Sequence, residues 1–271
     1  MKTSIYKNAR DVFLDTVDAK DYIQLERISM IYQALKDSIA KPLKMVLLYG
    51  RPGTGKSMFL SRLHQDLVSE QKVYLYKTPI LDESEFFKTL AQDLYDIKYD
   101  GELNFTQFMK VVENREVGAE IMPIIMLDEA QLYSTFMMEK IRLLSDTRKV
   151  KFVIALHKTE KEDLIAKEHF QTRIWESIKL ENASPSELKI YIQKKLMKVN
   201  CLDVASMFNQ KSVNLIHKLT NGNYRDTNKL VYTLFDIYMH YENNNYKKIK
   251  GNEISKKIIE MSAIHTGLIN A

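Results

Sequence analysis

Residues 47–60 read LLYGRPGTGKSMFL, and three of the chain's eight glycines fall between positions 50 and 55. A chain so sparing with glycine concentrates it where the backbone must bend in ways other residues resist. Gly50-Arg51-Pro52-Gly53-Thr54-Gly55-Lys56-Ser57 fits GxxxxGK[ST], the phosphate-binding loop. That loop requires a strand before it and a helix after it. Met45 to Tyr49 is a short, unbroken apolar run that suits a buried strand, and a helix is predicted from about Lys56 to Val68. In this setting the backbone from Gly50 to Met58 turns its N–H groups inward on phosphates, and the helix adds the positive end of its dipole. Lys56 reaches the β- and γ-phosphates, and the Ser57 hydroxyl is a ligand for Mg²⁺.

Whether such a loop hydrolyses a nucleotide or only holds one depends on acids elsewhere. Ile124-Ile125-Met126-Leu127-Asp128-Glu129 is an apolar strand ending in two carboxylates, the Walker B arrangement. Asp128 at the strand tip holds Mg²⁺, directly or through water. Glu129, one residue on, can polarise the attacking water as general base. A nucleotide holder needs only the first acid, so the second argues for hydrolysis.

Outward from these motifs, further strands are predicted at Val73–Tyr76, Phe152–Leu156 and Ile178–Leu180. Helices are predicted near 21–39, 83–94, 105–112 and 135–144. Strands alternating with helices imply a parallel sheet with helices on both faces. Beyond residue 182 the strand signal stops. Ser184-Pro185-Ser186-Glu187 is a capping box with proline at the first helical position. It opens a helix to about Val199, with further helices near 212–219, 226–241 and 253–263. The expected organisation is an α/β nucleotide-binding core over 1–182 and an all-helical lid over 183–271.

Composition sets outer bounds. Hydrophobic residues make up 45% and charged residues 28% of the 271, as in globular proteins. No apolar run is long enough to span a membrane, and the first fifteen residues lack the apolar core of a signal peptide. A single cysteine, Cys201, excludes an internal disulfide framework and fits a reducing cytoplasm. The formal charge of +5 allows an acidic partner without demanding one.

Together the loop, the Asp-Glu pair and the trailing helices resemble an AAA+ ATPase. Within that group the chain is most similar to the general secretion pathway protein A type, the mannose-sensitive pilus biogenesis ATPases and the transposition helper ATPases, over roughly residues 11–265. The resemblance implies a five-stranded P-loop AAA+ sheet, a helical lid, ATP rather than GTP, and Mg²⁺. No guanine-reading NKxD sequence is present, which leans the same way. It places residues 15–39 beside the adenine and His157, in Ala155-Leu156-His157-Lys158, at sensor 1. The usual family residue there differs. Arg173, in Phe170-Gln171-Thr172-Arg173-Ile174, falls where the family bears an arginine finger acting in trans, with Arg148 as rival. Arg225, in Gly222-Asn223-Tyr224-Arg225, falls at sensor 2, with Tyr224 where proline is usual.

A trans-acting arginine implies a ring or transient homo-oligomer. The resemblance implies work on protein components of a membrane-associated secretion, type IV pilus or DNA-uptake machine. The corresponding location is cytoplasmic, extending to a peripheral position at the inner face of the membrane. Secretion-type members often carry a membrane span and a peptidoglycan-binding domain. Neither is in this sequence, so direct cell-wall contact is not expected. Two alternatives stay open. One is an ATP-dependent DNA-binding transposition helper, with Lys194-Lys195, Lys247-Lys248 and Lys256-Lys257 on the phosphate backbone. The other is a nucleotide switch with negligible turnover.

Overall fold

The computed structural model describes residues 4–16, 18–114, 122–157, 174–244, 249 and 251–270. Contacts divide the chain into two units. One comprises 18–22 and 29–180, the other 1–17, 23–28 and 181–271.

The first unit is built on five strands: β1 (Met45–Gly50), β2 (Val73–Tyr76), β3 (Ile124–Leu127), β4 (Lys151–His157) and β5 (Ile174–Leu180). They pair in the order β2-β3-β4-β1-β5, and every pairing is parallel. The strands of β1, β3 and β4 are buried almost throughout. That is the pattern of a sheet covered on both faces, and it is why these runs are apolar without alternation. Met45, Leu47, Ile125, Leu127, Phe152 and Ile154 enter one core cluster. Most of its other members come from α4 (Glu83–Tyr95), α5 (Phe105–Glu113) and α6 (Thr135–Asp146). Val46, Leu48, Met126 and Val153 alternate to the opposite face and are equally buried. Among the described residues, the remaining α-helices of this unit are α2 (Glu26–Ala40), which begins in the other unit, and α3 (Lys56–Leu67).

β5 runs from 174, longer than the predicted 178–180. It lies at the sheet edge, where one side needs no apolar partner strand. Glu176 therefore faces Ser38 and Lys41 with hydrogen bonds from both. Lys151, at the start of β4, is buried yet satisfied: its Nζ donates to the Ile39 and Lys41 carbonyls at the end of α2. Burial lowers its pKa.

The second unit is helical. It holds α1 (Ile5–Asp11), α7 (Pro185–Met197), α8 (Leu202–Ser206), α9 (Gln210–Thr220), α10 (Tyr224–Asn244) and α11 (Lys256–His265). The capping box at Ser184 and Glu187 is formed in both directions. Tyr6 of α1 packs on Phe235 and Tyr238 of α10, and Phe13 also meets Phe235. Arg10 reaches Asp236 at 2.9 Å. The N-terminal residues thus complete the helical unit, whereas a single cut at 182 assigns them to the α/β core. Arg27 likewise donates to Glu187 at 2.6 Å.

No described helix is long and apolar enough to cross a membrane.

Candidate nucleotide site

In a parallel sheet the strand ends that share one edge are fixed by pairing, and ligands bind outside the carboxyl ends. Gly50 ends β1, His157 ends β4, and Asp128 follows β3. Gly50 and His157 are register partners, so strand pairing alone puts His157 beside the start of the phosphate loop.

The loop bends as its sequence demands. Gly53 and Gly55 have φ of 78° and 95°, in the left-handed region where glycine is favoured. Lys56 is only 4% exposed. Its Nζ donates to the carbonyls of Gly50 at 2.9 Å and Arg51 at 3.1 Å. An amine held on two loop carbonyls can exchange them for phosphate oxygens, so its position fits the group the sequence implies. Thr54, also buried, does not point outward: its hydroxyl donates to the Arg51 carbonyl at 2.8 Å and braces the loop from within. Ser57 and Met58 lie in the first turn of α3.

Gly50 is required by space. A methyl group there would run into the Leu180 carbonyl oxygen of β5 and the Thr54 hydroxyl. Backbone cannot swing away as a side chain can. Gly50→Ala is therefore expected to cost about 1–3 kcal/mol of stability, read as a lowered melting temperature. An unchanged melting temperature would show that β1 and β5 can separate there without penalty.

Asp128 is 4% exposed. Its N–H donates to the Tyr76 carbonyl at 3.0 Å, continuing the β2–β3 pairing. Its Oδ1 accepts the Glu129 N–H at 2.9 Å. Glu129 has φ 51° and ψ 37°, a left-handed conformation that costs a non-glycine residue about 1–3 kcal/mol. The backbone reverses there into a 3-10 turn, Ala130–Leu132. The Glu129 carboxylate meets His157: Oε1 lies 3.3 Å from His157 Nε2. Gln131 joins them. Its Nε2 donates to Glu129 Oε2, and its Oε1 accepts the His157 N–H at 3.1 Å. Gln131 carried no role in the sequence reading. The available signal was its place two residues after the second acid, but a 3-10 turn with a left-handed first residue was not foreseen there.

Tyr133 roots this turn. It is 2% exposed, and its hydroxyl accepts the Ile80 N–H at 3.3 Å. Burial pushes that hydroxyl up to about 12, so it stays neutral.

Residues 41–165 match the profile of a family described as AAA domain. That stretch, a little under half of the chain, is similar to an AAA domain. Solved structures agree on the fold. The chain is similar to Drosophila ORC bound to DNA, with TM-score 0.69 at 14% identity, over 100% of this chain and 67% of that one. It is similar to Aeropyrum pernix ORC1 in complex with DNA, with TM-score 0.61 at 15% identity, over 94% and 69%. It is also similar to Aeropyrum pernix ORC2 in ADPNP–ADP complexes, with TM-score 0.60 at 13% identity, over 95% and 71%. Identities this low establish the fold alone. No curated protein matches the sequence.

The sheet thus gathers the loop, Asp128, Glu129 and His157 at one edge. The arginines stand differently. Arg148 precedes β4, at the opposite end of that strand from His157. Arg173 lies outside the described residues. Arg225 belongs to the helical unit, in the first turn of α10. Its N–H donates to the capping Asn223 side chain, and its Nε donates to Asp15 at 3.2 Å.

The lysines considered for DNA also divide. Lys195 is 7% exposed, with its Nζ 3.4 Å from Asn228 Oδ1 and facing the Phe13 and Tyr191 rings. It points into the helical core and is no phosphate contact. Lys194 donates to the Gln24 carbonyl at 2.7 Å, and Lys256 pairs with Glu260 at 3.6 Å. Lys247 and Lys248 lie outside the described residues.

Proposed function

We propose that the chain is a Mg²⁺-dependent ATPase whose active site is shared between subunits and whose turnover drives a macromolecular machine. The profile match and the fold support an ATPase. The observation that carries the hydrolytic reading is Glu129, one residue past the strand-tip Asp128 and hydrogen-bonded within the site rather than splayed into solvent.

Lys56 and the loop amides hold the phosphates. Ser57 and Asp128 offer hard oxygen donors that would hold Mg²⁺, which would supply charge neutralisation to the phosphates. Glu129 accepts the proton of the attacking water. His157, beside the loop and against Glu129, senses the γ-phosphate side. Arg225 acts in cis and Arg173 in trans, stabilising transition-state charge. The preference for adenine rests on the family resemblance.

The machine we favour is of the secretion, type IV pilus or DNA-uptake kind. The partners are further copies of the chain and protein components at the inner face of the membrane. The second reading is work on DNA. It is favoured by the likeness to ORC proteins solved with DNA, and weakened by Lys195 being turned inward.

The test is ATP turnover per subunit against protein concentration, with and without duplex DNA, for wild type and Arg173→Ala. Turnover that rises with concentration and falls at least a thousandfold in the variant, the typical worth of an arginine finger, supports a shared site. Stimulation by DNA moves the assignment to DNA work, and its absence supports the membrane machine. Flat turnover unaffected by the substitution removes the trans role. Tight binding without phosphate release at any concentration supports a switch.

A further inference from the structure

We propose that Gln131 is a positioning residue for hydrolysis: it locks the Glu129 carboxylate to the tip of β4, so that base and strand act as one unit. This rests on Glu129 being the general base.

The hydrogen bonds fix which way the amide faces. The His157 N–H can only donate, so Gln131 must offer it the carbonyl oxygen. The NH₂ group is then left for the Glu129 carboxylate, which can only accept. The same NH₂ nitrogen lies 3.4 Å from His157 Nδ1. Gln131 is therefore anchored to a backbone group whose place is set by the pairing of His157 with Gly50. Tyr133, buried two residues on, holds the turn from below.

Glu129 needs such an anchor. Its left-handed backbone fixes where Cβ points but leaves the carboxylate free to rotate. A base works only when aimed at the proton it takes. With one oxygen on Gln131 and the other facing His157, the head group has one orientation. Each carboxylate oxygen keeps a further lone pair for water. Any shift of the β4 tip against β3 is transmitted through Gln131 to the base.

The experiment measures kcat and KM for ATP, with melting temperatures, in wild type, Glu129→Gln, Gln131→Ala, Gln131→Glu and the double variant Glu129→Gln/Gln131→Ala. Gln131→Ala is expected to lower kcat about tenfold to a hundredfold, the scale of a misplaced catalytic group, with KM within about twofold. Gln131→Glu sets a second carboxylate against Glu129 and is expected to lose at least as much. In the Glu129→Gln background, Gln131→Ala is expected to change kcat by less than about twofold, because residues acting as a unit are not additive.

An equal loss in both backgrounds overturns the proposal, since Gln131 then acts through something other than Glu129. So does a kcat for Gln131→Ala close to wild type, or a loss of kcat that comes with a matching rise in KM and a fall in melting temperature. Turnover insensitive to Glu129→Gln removes the base itself, and the proposal with it. That result is read from a different variant, so the two failures are distinguishable.

Discussion

Glu129→Gln is expected to cut ATP turnover by two or more orders of magnitude while leaving nucleotide binding intact. Glutamine has the same length and shape, so the change removes basicity and little else. Its carbonyl oxygen can still accept from the Gln131 amide, as Glu129 Oε2 does. The left-handed backbone at 129 costs the two residue types alike. The strand-tip Asp128 and the loop, to which we assign nucleotide binding, are unchanged. What disappears is proton acceptance from water, worth about 10²–10⁴ in rate, or about 3–5 kcal/mol of barrier. Single-turnover phosphate release beside equilibrium nucleotide binding measures both halves. Unchanged release would move the base elsewhere, and His157, 3.3 Å away, is the first neighbour to examine.

The sequence was most legible where one local requirement dominates. Gly50 to Ser57 must bend and then begin a helix, and Ile124 to Leu127 must be buried on both faces, so both segments read without ambiguity. It was least legible where a residue serves a distant partner. α1 shows buried positions only at Tyr6 and Ala9, a stripe too short to stand out, and its cover comes from α10, more than two hundred residues away. The predicted helix over 21–39 begins at 26 instead. Ile23 and Leu25 are buried, but in the helical unit, so one apolar pattern merged the demands of two cores. In the site, Asp128 and Glu129 were visible as a pair of acids at a strand end. Gln131 was not, because its role depends on a left-handed residue that sequence periodicity does not announce. His157 was suggested by family likeness, and its place rests on its register against Gly50. For Arg225 the family likeness implies a γ-phosphate contact and nothing more. Its ion pair with Asp15, 210 positions back, had no signal in spacing.

Lys56→Ala is expected to abolish stabilisation by nucleotide altogether. In the wild type, a ligand at a hundred times its Kd stabilises the folded state by about 2.7 kcal/mol. For a unit of this size, that raises the melting temperature by roughly 5–10 °C. The Lys56 ammonium is buried at the mouth of the loop, on the Gly50 and Arg51 carbonyls. Alanine removes the charge to which we assign phosphate binding, and leaves those two carbonyls without this donor. The nucleotide-free protein is therefore expected to lose about 1–3 kcal/mol itself. The two effects separate in one titration. The baseline melting temperature reports the structural loss, and the slope against ATP concentration reports the binding loss. A variant with a lowered baseline but a wild-type slope would mean that Lys56 only braces the loop, and that the loop amides alone hold the phosphates. A flat slope is the expected result, because helix-terminal amides and dipole without the lysine contribute only part of the charge that a triphosphate requires.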